Sequence, residues 1–298
     1  MRREELRREL LDDYFKDLAK AFRKENGKNA QAEIILIGGA AILANHEFRQ
    51  ATTDVDALIF SNASLKSAIN EVADKYNLEN GWLNDGFKHT CSYTNQIALH
   101  SKHYKKFGGV LNVRIVEGEY LIAMKLMAGR MYKYDKSDVV GVLMEYRERG
   151  IEISVDDVVK AVGELYGKEA CIPENSMDFF NKLMEFDNLK AVYDDARIYE
   201  RLNKETLVEI SDKHPEWFKG DRDIEALIRR KQKEEPKYIG LQINDNNELI
   251  SITTNGNIIL QEDANVLKIL HDIERNNPDY ALDPGTKKAV ESYSNKNT

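Results

Sequence analysis

Short apolar runs and helix-type periodicity alternate along the first half of the chain. Apolar residues spaced about four apart predict a first helix over residues 4–24, which we expect to pack on the core. The stripe consists of Leu6, Leu10, Tyr14, Leu18 and Phe22. The apolar run at residues 33–37 predicts a buried strand that ends at Gly38-Gly39, and residues 40–45 predict the start of a helix.

A second strand with its own helix follows this first pair. The sequence DVDALIF predicts a strand over residues 54–60, and residues 64–76 predict an amphipathic helix that Ser61-Asn62 would cap. Two further β-like runs are predicted at residues 97–100 and 110–116, and two helices at 120–131 and 137–149. The first half of the chain is therefore predicted to be α/β.

Helix-type patterns dominate the second half until a short β-rich segment. The predicted helices cover residues 155–166, 176–186, 189–202 and 224–233, and the strand-like runs cover 238–243, 248–253 and 257–260. Asn255-Gly256 is a strong hairpin signal between the last two runs. A helix is predicted at residues 264–275, and the polar tail 287–298 is predicted to be frayed.

These patterns predict three regions. Residues 1–150 form an α/β domain, residues 151–235 a helical region, and residues 236–298 a small β-meander with a helix and a tail. The charged stretch 229–237 is the expected boundary before the meander. At 298 residues the chain is long enough for two domains of ordinary size.

Composition narrows the class of protein. The net charge of −8 argues against general coating of nucleic acid, although a local basic face could still bind RNA. Cys91 and Cys171 lie 80 positions apart with no CxxC spacing, so we expect reduced thiols and no zinc motif. No secretory h-region and no apolar run of membrane-spanning length occurs, so we expect a cytoplasmic protein with no membrane partner.

Two aspartates at the start of the second predicted strand carry the first chemical signal. Residues i and i+2 of a strand share a face, so Asp54 and Asp56 are predicted to point the same way while Val55 faces the core. Two like charges held close together are costly unless a cation lies between them. Carboxylate oxygens suit Mg²⁺ or Mn²⁺, which bridge triphosphate oxygens.

Gly38-Gly39 carries the second signal, because it ends a strand and begins a helix. Without Cβ atoms the backbone can approach a phosphate closely, and the helix N-terminus offers N–H donors. A Gly-Gly turn or an Asp-x-Asp pair has a purely structural role in most proteins. The combination of the two is much more specific.

The order strand, Gly-Gly, helix and then Arg-x-x-Thr-x-Asp-x-Asp resembles the signature of the polymerase-β-like nucleotidyltransferase superfamily. The residues that carry it here are Arg49, Thr52, Asp54 and Asp56. Residues 81–85, 121–130 and 133–138 are similar to the AbiEii/MenT-type branch, the nucleotidyltransferase-like toxins of bacterial toxin–antitoxin systems. The resemblance covers about residues 30–150. It implies an α/β (α+β) core with a mixed sheet, an NTP substrate and an antitoxin partner.

The resemblance also implies roles for particular residues. Asp54 and Asp56 would bind the metal, Lys125 would contact the nucleotide phosphates, and Asp135 or Asp138 would be required as well. The nucleotide-binding set would further include Gly38, Gly39, Arg49, Thr52 and Arg130. Alternatively, Lys125 extends from an amphipathic helix into solvent, and the two later aspartates belong to a helix start.

The chain departs from the superfamily pattern at the third metal ligand. Many members have a further carboxylate on a later strand, but the run at residues 110–116 contains Arg114 and no acid. Glu117 and Glu119 lie only at its end, so the sequence does not identify the third metal ligand. A module of the same fold without catalysis is therefore kept as an alternative.

A local excess of basic residues bears on the acceptor. Residues 100–136 carry eight Lys or Arg against three acids, with aromatic residues between them, which could guide an RNA backbone or could merely be a solvated surface. By resemblance we expect NMP transfer to RNA, such as the 3′ end of a tRNA. The alternatives are an enzyme that adenylylates protein and a nucleotide-binding module without catalysis.

Overall fold

The computed structural model describes residues 5–90, 92–220, 223–244, 246, 248–261 and 264–296. The chain divides into two units, one formed by residues 1–129 and 135–193, the other by 130–134 and 194–298. The domain boundaries predicted near residues 150 and 235 remain predictions. Cys91 lies outside the described residues, whereas Cys171 is an exposed free thiol.

A five-stranded mixed sheet forms the centre of the first unit. The strands of this unit are β1 (Leu6–Arg7), β2 (Ala32–Leu36), β3 (Ala51–Thr52), β4 (Val55–Ser61), β5 (Leu83–Asn84), β6 (Ser101–Phe107) and β7 (Leu111–Val116). The sheet has the order β5-β4-β2-β7-β6, in which β2 is antiparallel to β4 and parallel to β7. Three consecutive residues of β2, Ile34 to Leu36, are fully buried, as expected for a strand covered on both faces. β1 and β3 form a separate two-stranded ribbon.

Helices cover the sheet of the first unit. They are α1 (Leu11–Asn26), α2 (Gly38–Asn45), α3 (Lys66–Tyr76), α4 (Gly118–Ala128), α5 (Asp135–Glu148), α6 (Val155–Tyr166) and α7 (Glu174–Met184). Short 3-10 helices lie at Arg8–Leu10, Gly86–His89 and Asn95–Ala98. Tyr14, Leu18 and Phe22 of α1 are buried, as the periodicity predicts. α4 packs against both α5 and α6.

The second unit combines helices with a small antiparallel sheet. α8 (Leu189–Lys213) begins in the first unit and continues into the second. It is followed by α9 (Trp217–Gly220), α10 (Ile224–Glu234), β8 (Tyr238–Ile243), β9 (Leu249–Thr253), β10 (Gly256–Ile259), α11 (Val266–Asn276) and α12 (Pro284–Lys296). The β9–β10 hairpin turns at Thr254-Asn255, and Gly256, the first residue of β10, has a φ of 110°, so the predicted hairpin is confirmed. The predicted fold class, an α/β core followed by helices and a β-meander, is confirmed.

Four local predictions are wrong. The first helix begins at Leu11, because Leu6 lies in β1, where it pairs with Thr52. Residues 97–100 form no strand, since Asn95–Ala98 is a 3-10 helix. The side chains of Ser61 and Asn62 do not cap α3: Ser61 Oγ donates to the carbonyl of Ala63, and Asn62 Oδ1 accepts from the N–H of Gln31.

The fourth wrong prediction concerns the C-terminal tail. Residues 287–296 belong to α12, whereas residues 297–298 lie outside the described part of the chain. None of the described helices combines the length and the apolar character that a membrane span requires.

Candidate active site

The turn between β2 and α2 lies next to the carboxylate of Asp56. Gly38 has a φ of 54°, a left-handed conformation that favours glycine, and the Cβ of any other residue there would lie 4.0 Å from Asp56 Oδ2. The carbonyl of Asp56 accepts the N–H of Ile37 at 3.1 Å, which ties the turn to β4. No side chain caps the start of α2, so its first N–H groups are available to an anion.

A cation lies against the second glycine of the same turn. A Cβ on Gly39 would approach Arg49 Nη2 and Thr52 Oγ1 to 2.9 Å each, so only glycine lets these two side chains lie there. Arg49 Nη2 also donates to Thr52 Oγ1 at 3.3 Å, and Arg49 Nε donates to the carbonyl of Ala51 at 3.1 Å. The turn is therefore flanked by the Asp56 carboxylate at one glycine and by the Arg49 guanidinium at the next.

The two aspartates of the predicted metal pair differ in their surroundings. Asp54 immediately precedes β4, is exposed, and accepts a hydrogen bond from Thr53 Oγ1 at 3.2 Å. Asp56 is half-buried within β4 and stands in register with Asn84 of the parallel strand β5. Asn84 was not among the residues predicted from sequence. Its amide oxygen accepts the N–H of Gly86 at 2.9 Å, which fixes the turn beside Asp56.

The donor set at this position fits a magnesium ion that is shared with a substrate. Mg²⁺ in phosphoryl-transfer enzymes is held by one or two carboxylates together with water and substrate phosphates, so Asp54 and Asp56 suffice by chemistry. Within the described residues, no group of three or more His, Cys, Asp or Glu side chains is placed to hold a metal. Any ion would therefore depend on the triphosphate for further ligands.

The residues on and after β7, where a third metal-binding carboxylate would be expected, make other contacts. Arg114 of β7 donates to Glu33 Oε1 at 3.3 Å and to the carbonyl of Ser101 at 2.6 Å, which is a structural network of the sheet. The backbone N–H of Glu117 donates to the carbonyl of His100 at 3.1 Å. Glu119 lines a groove of about 270 Å³ against α6, together with Glu152 and other residues of that region.

A buried cluster of four charged groups lies next to Gly39. Lys125 Nζ lies 2.9 Å from Asp135 Oδ1 and 2.8 Å from Asp138 Oδ2. Arg49 Nη1 contacts both oxygens of Asp138, at 3.1 and 2.9 Å. The Lys125 side chain is only 10% exposed, and the two carboxylates are almost fully buried. Two cations and two anions thus balance each other away from water, as buried charges require.

This cluster shifts the pKa of Lys125. Burial alone would lower that pKa, but the carboxylates of Asp138 and Asp135 outweigh burial and the repulsion from Arg49, so the pKa is raised above its ordinary value. The ammonium group is therefore charged at neutral pH. It forms ion pairs with Asp135 and Asp138.

Arg130 begins the segment Arg130–Tyr134, which belongs to the second unit although it joins α4 to α5. In that unit the N–H of Met131 donates to Glu225 Oε1 at 3.1 Å, and Asn203 Nδ2 donates to the Met131 carbonyl at 2.8 Å. The Arg197 guanidinium lies 3.7 Å from the ring centre of Tyr134. The nucleotide-binding role predicted for Arg130 stays a prediction.

A second buried group on α5 holds the loop that leads to Arg49. Glu145 Oε1 accepts the N–H groups of Glu47 and Phe48, the latter at 2.8 Å, and Oε2 accepts from His46 Nδ1 at 3.0 Å. Arg149 Nη2 also donates to Oε2 at 3.0 Å. Sequence reasoning missed Glu145. It also favoured a surface position for His46, which is wrong because His46 is buried against Glu145.

Part of the basic stretch is engaged in ion pairs within the first unit. Lys125 and Arg114 are engaged in the contacts above, and Lys105 forms an ion pair with Asp12. Lys102 and Lys106 are exposed on β6, which is an edge strand of the sheet. Exposed lysines on an edge strand also discourage pairing with other chains, so they have a structural explanation as well.

Comparison with known proteins gives one family. Residues 13–153 match the model of a family described as "Nucleotidyltransferase of unknown function (DUF6036)". The match includes the five-stranded sheet, the Gly38-Gly39 turn, both aspartates and the buried cluster. None of the curated proteins and none of the solved structures matches the chain.

Residues 13–153 thus form a nucleotidyltransferase-like region whose function the family does not specify. The family match supports the nucleotidyltransferase superfamily that the motifs predicted. It gives no support to the AbiEii/MenT branch in particular.

Proposed function

We propose that the protein is a metal-dependent nucleotidyltransferase that transfers an NMP from an NTP to an acceptor hydroxyl. The observation that carries this proposal is the pair of charges at the turn, with the Asp56 carboxylate beside Gly38 and the Arg49 guanidinium beside Gly39. A carboxylate and a phosphate repel each other. A phosphate bound next to Asp56 would therefore need a divalent cation that binds both groups.

The chain's own residues would bind and orient the nucleotide. The N–H groups at the start of α2 would donate to phosphate oxygens, and Arg49 would face the same phosphates from beside Gly39. Asp54 and Asp56 would hold Mg²⁺ or Mn²⁺. When bound, the ion neutralises the charge on the triphosphate and the charge that develops during transfer.

The reaction itself requires positioning more than covalent chemistry by the protein. The acceptor oxygen attacks the α-phosphorus, the bond from that phosphorus to the bridging oxygen of the β-phosphate breaks, and pyrophosphate leaves while the acceptor proton passes to solvent. Lys125, Asp135 and Asp138 would support this site through their ion pairs, because Asp138 binds both Lys125 and Arg49. Direct contact of Lys125 with the nucleotide stays a prediction.

For the acceptor we propose RNA, such as the 3′ end of a tRNA, with the exposed Lys102 and Lys106 of β6 as support. The toxin role and a cognate antitoxin partner rest on the resemblance alone and are proposed on that basis. One observation favours a second candidate, a nucleotide-binding module without catalysis. It is the lack of a third carboxylate beside Asp54 and Asp56 among the described residues.

The test is a labelling experiment. The purified protein is incubated with Mg²⁺, each α-³²P-labelled NTP in turn, and total bacterial RNA plus cell protein. We expect label in RNA with the wild type, and its loss with EDTA or in the Asp54→Ala/Asp56→Ala double variant. Asp74→Ala, which changes an exposed aspartate of α3, is the matched control.

Each other outcome of this experiment has a definite meaning. Loss of less than about tenfold in the double variant would overturn the metal-dependent mechanism. Label in protein would show that the acceptor is a protein and not RNA. Nucleotide binding without any transfer would establish the non-catalytic module.

A further inference from the structure

Helix α5 presents one face to the segment that connects α2 with β3. Asp138, Gly141 and Glu145 are spaced three and four residues apart, so they share this face of the helix. Each contacts the connecting segment at a different point: Asp138 at Arg49, Gly141 at Phe48, and Glu145 at residues 46–48. The segment is therefore held along its length by a single rigid element.

The contact at Gly141 shows how closely the segment approaches α5. A Cβ on Gly141 would lie 2.5 to 2.7 Å from atoms of the Phe48 ring, a distance that real side chains do not reach. Phe48 also packs edge-on against Tyr193, with ring centres 5.7 Å apart. Phe48 is thus fixed between two helices, one residue before Arg49.

Glu145 is a buried carboxylate that accepts hydrogen bonds from four donors. It is 6% exposed and accepts two backbone N–H groups and two side-chain donors, as described above. Backbone N–H groups of a connecting segment are usually satisfied by secondary structure or water. Here one carboxylate satisfies two in succession, which fixes the backbone path into Arg49.

We propose that Glu145 is a positioning residue of the nucleotidyltransferase site, clamping residues 46–48 so that the Arg49 guanidinium stays against Gly39. This inference rests on the proposed function for its effect on catalysis. The clamp on residues 46–48 does not depend on the proposed function. Glu145 acts through Arg49 and does not touch the substrate.

The first experiment tests the clamp without any substrate. Hydrogen exchange of the amides at residues 46–49 is compared in the wild type, in Glu145→Gln and in Glu148→Gln, which changes an exposed glutamate of the same helix. We expect exchange to accelerate about tenfold or more in Glu145→Gln alone, since an amide accepts more weakly than a carboxylate. Unchanged exchange would overturn the clamp.

The second experiment asks whether Glu145 acts through Arg49. Values of kcat and KM for NMP transfer are measured for Glu145→Gln, Arg49→Lys and the double variant, with Glu148→Gln as control. We expect about a tenfold loss of kcat/KM in Glu145→Gln and little further loss when it is added to Arg49→Lys. Losses that multiply would show that Glu145 acts by another route and would overturn the inference.

The two readouts separate the inference from the proposed function. Accelerated exchange in Glu145→Gln, with no transfer by the wild type under any condition, would overturn the proposed function and with it the catalytic part of the inference. The clamp on residues 46–48 would stand. Melting temperatures of all variants are measured alongside, and Glu145→Asp, which keeps the charge, is expected to recover part of the exchange protection.

Discussion

Arg49 Nη1 donates to both carboxylate oxygens of Asp138, which lies 89 positions further along the chain. The same carboxylate contacts Lys125 at 2.8 Å, so one buried anion holds two cations from separate elements. Asp138 thereby joins the loop beside the Gly38-Gly39 turn to the start of α5 and the end of α4. Its removal should affect both the fold and the site.

We expect Asp138→Ala to destabilise the protein by about 3 to 5 kcal/mol, because it removes the buried carboxylate that Arg49 and Lys125 share and leaves Asp135 as the counter-charge of Lys125. Urea unfolding measures this loss, with Asp74→Ala on exposed α3 surface as control. In Asp138→Asn the shape is kept, and a smaller loss is expected together with weaker transfer. Equal stability of Asp138→Ala and the wild type would contradict the view that this cluster supports the fold.

Gly39 is predicted to be essential for the arrangement of the site. In Gly39→Ala the new methyl group would meet Arg49 Nη2 and Thr52 Oγ1, and Arg49 cannot yield cheaply because Asp138 and the Ala51 carbonyl hold it. A displacement of about 1 Å in such a site costs roughly a hundredfold in rate, so a loss of that order is expected in NMP transfer.

Gly163→Ala is the matched control for this substitution. A Cβ at Gly163, within α6, meets nothing within 4 Å. The control should therefore transfer normally and gain about 0.4 to 1 kcal/mol of stability. If Gly39→Ala behaves like Gly163→Ala in both measurements, the packing of Arg49 against the turn has no importance for the reaction.

His46 is predicted to make the protein less stable in mild acid. Burial lowers the pKa of His46 below its usual 6.5, an effect that the neighbouring Glu145 opposes and that Arg149 and Lys102 reinforce. The folded state therefore resists a proton that the unfolded chain accepts. Stability is retained above pH 6.5 and falls as the pH drops from there through the lowered pKa.

The check is the free energy of unfolding between about pH 7.5 and 5.5, measured for the wild type and for His46→Asn. The variant should show a flatter pH dependence over this window. His103→Asn, which changes an exposed histidine on β6, should keep the slope of the wild type. A His46→Asn slope identical to the wild type would show that another group causes the pH dependence.

The edge strand β6 allows a direct test of the RNA acceptor. Lys102 and Lys106 are exposed there, so the Lys102→Glu/Lys106→Glu variant should raise KM for RNA by about tenfold at low salt, while KM for the NTP is unchanged. Exposed Lys28→Glu and Lys66→Glu serve as a control of equal charge change. An unchanged KM for RNA would leave protection of the sheet edge as the role of these lysines.

The sequence predicts the strands and helices whose apolar residues recur with a strong period. It does not predict elements whose conformation is determined by their tertiary surroundings. Residues 33–37 and 155–166 are predicted within one residue, because a buried apolar run and an amphipathic helix carry their own signal. β6 escaped prediction because an edge strand of sequence SKHYKKF exposes most of its residues and lacks alternation. The 3-10 helix Asn95–Ala98 resembles a short strand in composition alone.

The candidate site likewise contains residues that local motifs predict and contacts that only tertiary packing creates. Motif spacing identified Gly38, Gly39 and the Asp54/Asp56 pair, whose relation to one another is local in sequence. The pairing of Arg49 with Asp138 depends on tertiary packing across 89 positions, and no local pattern encodes it. Gly141 offered one unused signal, because an isolated glycine inside a helical pattern often marks a close approach, here by Phe48.

The segment Arg130–Tyr134 limits how the chain can be shortened. It connects Lys125 on α4 to Asp135 on α5, yet its Met131 backbone is hydrogen-bonded to Asn203 and Glu225. A chain truncated after residue 193 would keep the motifs and lose both of these hydrogen bonds. Inactivity of such a fragment would therefore not by itself show that the removed residues recognise the substrate, whereas point variants in the intact chain test that role directly.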